Sequence, residues 1–320
     1  MEKQMSFTEM EYNQRHRTTK RDAFLKEMDE LIPWEECVAM ISPCYPSGNR
    51  GRPPREIEQM LRMILLQTWF NLSDEGVEDA IYDSYAMKTF MRLDFASGER
   101  VPDATTLCKF RKLMTVNGLQ KKFFDIVQSL LEHSGKKVHG GTIVDATIIE
   151  ASSSKKNREK KTDPEMHSVR KGTNYYFGMR EHVGVDPVFG FVHSVVSTPA
   201  NTSEVKVAPQ LIRPDDAVVY GDAGYCNLER YVTDGIQRDY RINRQRGTFK
   251  RHYGESLAWE QEKKLESRKS SVRCKVEFVF HIVKDIFHWR KVHYKGIAKN
   301  DAFAHLAFAS ANLFLLAAMG

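Results

Sequence analysis

One stretch constrains the fold of this chain more than any other. Residues 140–151 form a run of β-branched and apolar residues that carries a carboxylate in its middle, at Asp145. Two glycines open the run and three serines follow it, a pattern typical of a central strand buried on both faces. A buried carboxylate without partners costs several kcal/mol, on the order of the desolvation penalty of an ion. The rest of the chain therefore has to supply Asp145 with hydrogen bonds, cations or a metal ion.

The pattern of apolar residues divides the chain at this strand. Residues 1–135 show helical periodicity and helix caps, whereas the residues after the strand alternate between strand and helix signals. We predict an all-α N-terminal domain over residues 1–135 and an α/β domain over residues 136–320, with a basic insertion at about 244–270. Within the second domain we predict strands at 175–186, 190–197 and 217–220, helices at 201–212, 257–267, 271–289 and 302–316, and an irregular segment at 238–252.

Positive charge is concentrated in two segments. Residues 238–299 hold 17 Lys and Arg against 7 Asp and Glu, although the net charge of the whole chain is only +6. A second basic cluster lies within residues 152–180. Basic segments beside candidate acidic site residues favour a polyanionic partner such as nucleic acid. Solvated charged faces are the alternative interpretation.

A predicted helix near residue 104 carries Lys109 and Arg111 and follows another short helix. Consecutive short helices of which the second is basic suit a helix-turn-helix-like unit, in which Lys109 and Arg111 would contact DNA. Small all-helical packing domains show the same pattern. Both interpretations stay open at this level.

Other classes of protein fit poorly. The five cysteines are scattered and form no C-x-x-C pair, which argues against a disulfide framework and a zinc site. The N-terminus lacks an apolar signal region. Residues 302–319 are apolar but contain His, Ser and Asn, so a buried core helix is favoured over a membrane span. We expect a cytoplasmic protein without a membrane partner.

Three carboxylates stand out by their context. Asp145 lies inside the first strand, Asp222 follows the strand at 217–220, and Glu277 lies on the helix at 271–289. Strand ends and helices converge at the ligand sites of α/β folds. Three carboxylates suit Mg²⁺ or Mn²⁺, and two such ions can promote in-line phosphoryl transfer. Taken singly, the three could be a core aspartate, a turn residue and a surface partner of Lys284.

Short motifs in a fixed order extend over nearly the whole chain. They include V-D-A-T-I-I-E-A at 144–151, D-P-E-M-H at 163–167, D-A-G-Y at 222–225, V-E at 276–277, R-P-P at 52–54, P-D-A-T-T at 102–106, Y-K-G at 294–296 and A-N-L-F at 311–314. In this combination the sequence resembles the DDE transposases of bacterial insertion sequences, specifically the insertion-sequence-5 group.

The resemblance implies an RNase H-like mixed-sheet catalytic core in which Asp145, Asp222 and Glu277 are the DDE metal ligands. Related transposases carry the signature Tyr-x2-Arg-x3-Glu-x6-Lys around the glutamate. Arg273, Glu277 and Lys284 match it, and Ser270 stands in place of the tyrosine. Positions 273, 277 and 284 lie on one face of a helix, so Arg273 and Lys284 would hold phosphates beside the metals.

Two further cations are candidates for contacts with DNA. Arg180 takes the place of the lysine in the family's Phe-Gly-x-Lys motif, which preserves the charge but changes the hydrogen-bond geometry. We predict that Arg180 and Lys171 contact the DNA backbone. A solvated strand edge is the alternative.

The expected function is that of a DNA transposase with two Mg²⁺ or Mn²⁺ ions. It would bind the terminal inverted repeats of its element, hydrolyse the phosphodiester at the ends, and join the 3′-hydroxyls to target DNA. A homodimer or higher assembly is expected because two ends have to be synapsed, and the active protein would associate with the nucleoid. The alternatives are a catalytically inactive, transposase-derived DNA-binding protein and a stand-alone RNase H-like nuclease.

Overall fold

The computed structural model describes residues 14–15, 17–48, 53–136, 139–156, 161–245 and 257–319. A helical region precedes a mixed sheet, as predicted. The helices of the first region are α1 (Lys20–Leu31), α2 (Trp34–Ile41), α3 (Ile57–Phe70), α4 (Asp74–Asp83), α5 (Tyr85–Phe90), α6 (Ala104–Val116) and α7 (Leu119–His133). The elements that follow are β1 (Gly141–Glu150), β2 (His167–Lys171), β3 (Asn174–Val185), β4 (Val192–Pro199), α8 (Glu204–Val207), β5 (Val218–Gly221), β6 (Asp239–Ile242), α9 (Leu257–His281) and α10 (Ile297–Ala318).

Side-chain caps fix the starts of several helices. Thr19, Ser73 and Asp103 each accept a hydrogen bond from a backbone N–H of the first turn that follows. The apolar faces of the helices pack into one hydrophobic core that continues under the sheet and includes α10. The helical region and the sheet are therefore built on a shared core, and the domain boundary at residue 135 stays a prediction.

The sheet places β1 at its centre. β3 pairs antiparallel with one edge of β1, and β5 pairs parallel with the other. β2 and β4 pair antiparallel with successive halves of β3, while β6 pairs parallel with β5. Antiparallel pairing thus joins strands β1 through β4, and parallel pairing adds β5 and β6, so the run around Asp145 is the central strand that its composition predicts.

A buried carboxylate accepts several backbone hydrogen bonds in the turn between β3 and β4. Asp186 is buried and accepts hydrogen bonds from the N–H groups of Val188, Phe189 and Phe191, at 2.7–2.9 Å. These contacts satisfy backbone donors that the turn leaves unpaired. This turn joins the two strands that the sequence predicts at 175–186 and 190–197.

The C-terminal helix α10 packs against α7, α1 and β4. Within the described ranges it is the one helix whose length and composition would allow a membrane span, and 72% of its most apolar window is buried inside the protein. Polar side chains such as Asn300 and Asn312 are buried on it. It has the burial and the buried polar groups of a core helix.

We expect Asn312→Leu to lower the free energy of unfolding by about 2–3 kcal/mol. Asn312 is fully buried, donates to the carbonyl of Val192 at 2.7 Å and accepts from its N–H at 2.8 Å, which ties α10 to β4. Gln128 also donates to the Val192 carbonyl, so the variant mainly leaves the Val192 N–H without a hydrogen-bond partner.

Urea denaturation measures the change, and Ser310→Ala on the same helix is the matched control. The Ser310 hydroxyl is buried without a hydrogen-bond partner among the described residues, so its removal should cost nothing. Equal losses in both variants would contradict this role.

Four segments differ from expectation. The region at 238–252 was predicted to be irregular but contains β6, a short edge strand with alternating charged residues. The strand β2 was not predicted, for the same reason. The helix expected at 201–212 ends at Val207 and tightens into a 3₁₀ turn at Pro209. The separate helices expected at 257–267 and 271–289 form one helix, α9, followed by a π-helical turn to Ile286, because no Gly or Pro interrupts them. Part of the predicted insertion, residues 246–256, lies outside the described residues.

Candidate active site

The pairing of β1 with β5 places two carboxylates side by side. Ile143 pairs with Tyr220 in parallel register, so Asp145 and Asp222 stand at equivalent positions two residues further along. Asp222 follows the end of β5, where its Oδ1 accepts the N–H of Gly224 at 2.8 Å and starts a 3₁₀ turn. Both side chains therefore project near one strand end, although 77 positions separate them in the sequence.

Helix α9 adds Arg273 and Glu277 across this strand end. The Arg273 guanidinium donates to Asp145 Oδ2 at 3.0 Å and to Glu277 Oε1 at 2.6 Å. One cation thus bridges two of the three predicted ligands. The Asp145 side chain is 14% exposed and that of Glu277 is 58% exposed, so Glu277 forms the outer rim of the site.

Burial governs the charge of Asp145. Desolvation raises the pKa of Asp145 to about 6, and the nearby carboxylates of Asp222 and Glu204 push it in the same direction. A hydrogen bond from the Ala146 N–H at 2.7 Å and the charge of Arg273 oppose this rise without cancelling it. The site is therefore short of positive charge near Asp145.

We expect stability to depend on pH through Asp145. Its folded pKa of about 6 exceeds the ordinary value of 3.8, so between these values the folded chain binds more protons than the unfolded chain. The protonated Asp145 carboxyl stabilises the fold fully below pH 3.8, the ordinary pKa of aspartate. This stabilisation is lost as the pH rises through about 6, the pKa of Asp145 in the folded chain. The free energy of unfolding of Asp145→Asn minus that of the native chain should therefore increase by roughly 1–3 kcal/mol between about pH 4 and about pH 7. Denaturation of both chains across this range measures it. A difference that stays constant with pH would contradict the assignment.

Two lysines, Lys284 and Lys171, add positive charge to the candidate site. Lys284 lies in the π-helical turn after α9 and donates to the carbonyl of Ile148 at 2.7 Å. Burial, followed by the charges of Lys171 and Arg290, lowers the pKa of Lys284 to about 8. These cations are therefore close enough to repel one another, an arrangement that a bound anion relieves.

Glu204, which no sequence motif marks as a site residue, also lies among these charged side chains. Glu204 begins α8, and its Oε1 lies 2.9 Å from Nη1 of Arg180, which is 11% exposed. The same Arg180 nitrogen donates to the carbonyl of Thr202 at 2.9 Å. The Asn-Thr-Ser-Glu run at 201–204 accounts for a helix start, so nothing further in the sequence marks Glu204 as a site residue.

The basic residues of α6 have different surroundings. Lys109 is exposed. Arg111 forms an ion pair with Asp74, donates to Gln67 at 3.0 Å, and lies 5.1 Å from the ring of Tyr294. Arg111 therefore takes part in packing α6 against its neighbours, and among the described residues neither Lys109 nor Arg111 contacts Asp145, Asp222 or Glu277.

The donor chemistry of the site fits a hard divalent cation. Mg²⁺ and Mn²⁺ take carboxylate oxygens, and Asp222 Oδ2 has no hydrogen-bond partner among the described residues. Within those residues, no three Asp, Glu, His or Cys side chains converge closely enough to hold one ion. The bridge through Arg273 accounts for this spacing at Asp145 and Glu277, because a guanidinium lies between the two carboxylates.

Comparisons with known proteins agree with the motifs and the geometry. A family model described as Transposase domain (DUF772) matches residues 13–113, and one described as Transposase DDE domain matches residues 136–313. No solved structure shows a significant match to the chain. The second model implies an RNase H-like core, in agreement with the mixed sheet, and covers more than half of the 320 residues. The chain belongs to the DDE transposase family.

Proposed function

We propose that the chain is a transposase of the insertion-sequence-5 group. It binds the terminal inverted repeats of its own element, hydrolyses the phosphodiester at each end, and transfers the freed 3′-hydroxyls to target DNA. The observation that carries this proposal is the adjacent placement of Asp145 and Asp222 on paired parallel strands, with Glu277 presented by α9. Membership of the DDE family supports the reaction class, because such transposases cleave and join DNA with divalent metal ions.

Each acid has a proposed role. Asp145, Asp222 and Glu277 would hold two Mg²⁺ or Mn²⁺ ions, with Asp145 anchored by its hydrogen bond from Ala146. Bound ions would supply activation of the attacking oxygen and neutralisation of charge on the departing one. Arg273 bridges Asp145 and Glu277 in the absence of DNA, and would donate to a phosphate once those carboxylates bind cations.

The cations around the site would hold the DNA. Lys284 and Lys171 form the positive group described above, and Arg180 borders it on β3. On α6, the exposed Lys109 is the stronger candidate for a DNA contact. Arg111 would reach DNA only by leaving Asp74.

Synapsis of two element ends requires at least two active sites, so we propose a homodimer or a higher assembly. The helical region that matches the Transposase domain (DUF772) would contribute to binding the ends, to assembly, or to both. Because the proposed partner, DNA, is a polyanion held at the nucleoid, the active protein would lie there in the bacterial cytoplasm.

The test is a cleavage reaction on DNA that carries the coding region with its natural flanks. With Mg²⁺, the purified chain should break the DNA at two inverted sequences flanking the gene, leave 3′-hydroxyls, and join them to an added plasmid. Glu277→Gln is the inactive control. Breaks at positions unrelated to inverted sequences, or an absence of breaks, would contradict the proposal. Breaks at the ends without joined products would instead favour a stand-alone nuclease.

A further inference from the structure

We infer that Glu204 is a fourth carboxylate of the active site, and that Glu204 and Asp222 together line a position for a divalent cation beside Gly224. The inference rests on the proposed function, because it adds a cation-binding residue to the same site. It concerns a carboxylate that neither the motifs nor the DDE triad include.

The placement of Gly224 shows that the two carboxylates border one space. A Cβ atom added at Gly224 would lie 2.9 Å from Asp222 Oδ1 and 3.8 Å from Glu204 Oε2. The absence of a side chain at Gly224 therefore leaves both oxygens exposed to the same position. Glu204 Oε1 pairs with Arg180, whereas Oε2 has no hydrogen-bond partner among the described residues.

A buried hydroxyl provides independent evidence for a ligand. Tyr225 is fully buried, and its hydroxyl has no hydrogen-bond partner within the described part of the chain. Burial raises the pKa of Tyr225 well above its ordinary value, and the charges of Asp145, Glu204 and Asp222 add to the rise. A buried hydroxyl without a partner costs about 1–3 kcal/mol. A cation that draws the carboxylates inward would bring an acceptor within its reach.

The balance of charge points the same way. Arg273 pairs with Asp145, and Arg180 pairs with Glu204. Asp222 forms no ion pair among the described residues, so no side-chain cation in that part of the chain pairs with it directly. Carboxylates that repel one another around an oxygen-lined space favour a small, hard, multiply charged cation over an organic ligand.

The test uses terbium(III), which prefers oxygen ligands and emits when a nearby tyrosine transfers energy to it. The full-length native chain, free of DNA, should show saturable emission on excitation of tyrosine, and Mg²⁺ or Mn²⁺ should displace it. Glu204→Gln should raise the terbium midpoint by at least about 10-fold. Tyr225→Phe should reduce the emission at saturation and raise the midpoint, because phenylalanine has no buried hydroxyl for cation binding to satisfy.

Two further variants separate binding from indirect effects. Glu229→Gln replaces an exposed glutamate on the next turn and should leave the midpoint unchanged. Arg180→Gln removes the cation paired with Glu204 and should lower the midpoint, because the carboxylate is then freed. If Glu204 acted only by holding Arg180, both Glu204→Gln and Arg180→Gln would raise the midpoint, which would overturn the inference. Thermal unfolding verifies that each variant is folded, and Glu204→Asp, which retains a carboxylate, should recover part of the affinity.

Failure of the inference and failure of the proposed function are distinguishable. A wild-type terbium midpoint in Glu204→Gln, or no saturable emission from the native chain, overturns the cation position. Neither result bears on whether the chain cleaves its element ends. A native chain that binds terbium as expected but does not cleave its element ends overturns the proposed function and leaves the cation position standing.

Discussion

Asp145→Asn should lower the rate of end cleavage by at least about 1,000-fold. The substitution keeps an oxygen that can accept the Ala146 N–H, but it removes the negative charge through which Asp145 is proposed to bind a divalent cation at the centre of β1. Loss of one metal ligand costs several kcal/mol of transition-state stabilisation, and each 1.36 kcal/mol corresponds to about tenfold in rate. Initial rates of cleavage on end-sequence DNA measure the effect. Because Arg273 and Lys284 are untouched, DNA binding in a gel-shift assay should persist.

The matched control for this variant is Asp239→Asn. Asp239 lies on β6 of the same sheet, is exposed, and pairs with Arg241 at 2.7 Å. It should retain the native cleavage rate. Cleavage by Asp145→Asn at a rate near that of the control would remove Asp145 from the reaction.

Arg62→Met should lower the free energy of unfolding by about 3–5 kcal/mol. Arg62 is fully buried on α3, where it donates to Asp29 at 2.6 Å, to Glu58 at 2.8 Å and to the carbonyl of Phe90 at 2.6 Å. Its guanidinium also lies 3.8 Å from the ring of Trp34. Removal leaves two carboxylates and a carbonyl without their central donor, which loosens the junction of α1, α2, α3 and α5. Urea denaturation measures the loss.

Arg92 provides a control that uses the same acids. It lies 3.4 Å from Asp29 and 3.0 Å from Glu58, but its side chain is 57% exposed. Arg92→Met should therefore cost no more than about 1 kcal/mol. Similar losses for Arg62→Met and Arg92→Met would show that burial of Arg62 does not set the strength of this network.

The sequence predicts the central strand and the position of Asp222 because both depend on local patterns. An uninterrupted β-branched run can satisfy its backbone only inside a sheet, and a short apolar strand followed by Asp-Ala-Gly places a carboxylate at a strand end. The capped helix starts at Ser73 and Asp103 are predictable for the same reason. The RNase H-like core required more than these patterns and followed from the resemblance.

The remaining features depend on which surfaces meet. A basic helix pattern does not reveal that Arg111 faces Asp74, since the sequence does not say which side of α6 is covered. In the sequence, Glu204 is recognisable only as part of a helix start. Its proximity to Asp222 becomes visible only in the folded chain. The Arg273 bridge likewise requires α9 to pass beside the middle of β1, a contact between residues 128 positions apart. Short polar strands such as β2 carry little apolar signal, so they become visible only through pairing with β3.

The most direct test of the central claim exchanges one ligand atom in the site. In Asp222→Cys, a thiolate replaces the carboxylate that lies beside Asp145, and thiolates bind Mg²⁺ poorly but accept softer ions. We predict that this chain does not cleave its element ends with Mg²⁺ and regains cleavage with Mn²⁺, while the native chain cleaves with both. Cleavage by Asp222→Cys at the native rate in Mg²⁺ would contradict metal binding by Asp222 and, with it, the assignment of this strand end as the site of phosphoryl transfer.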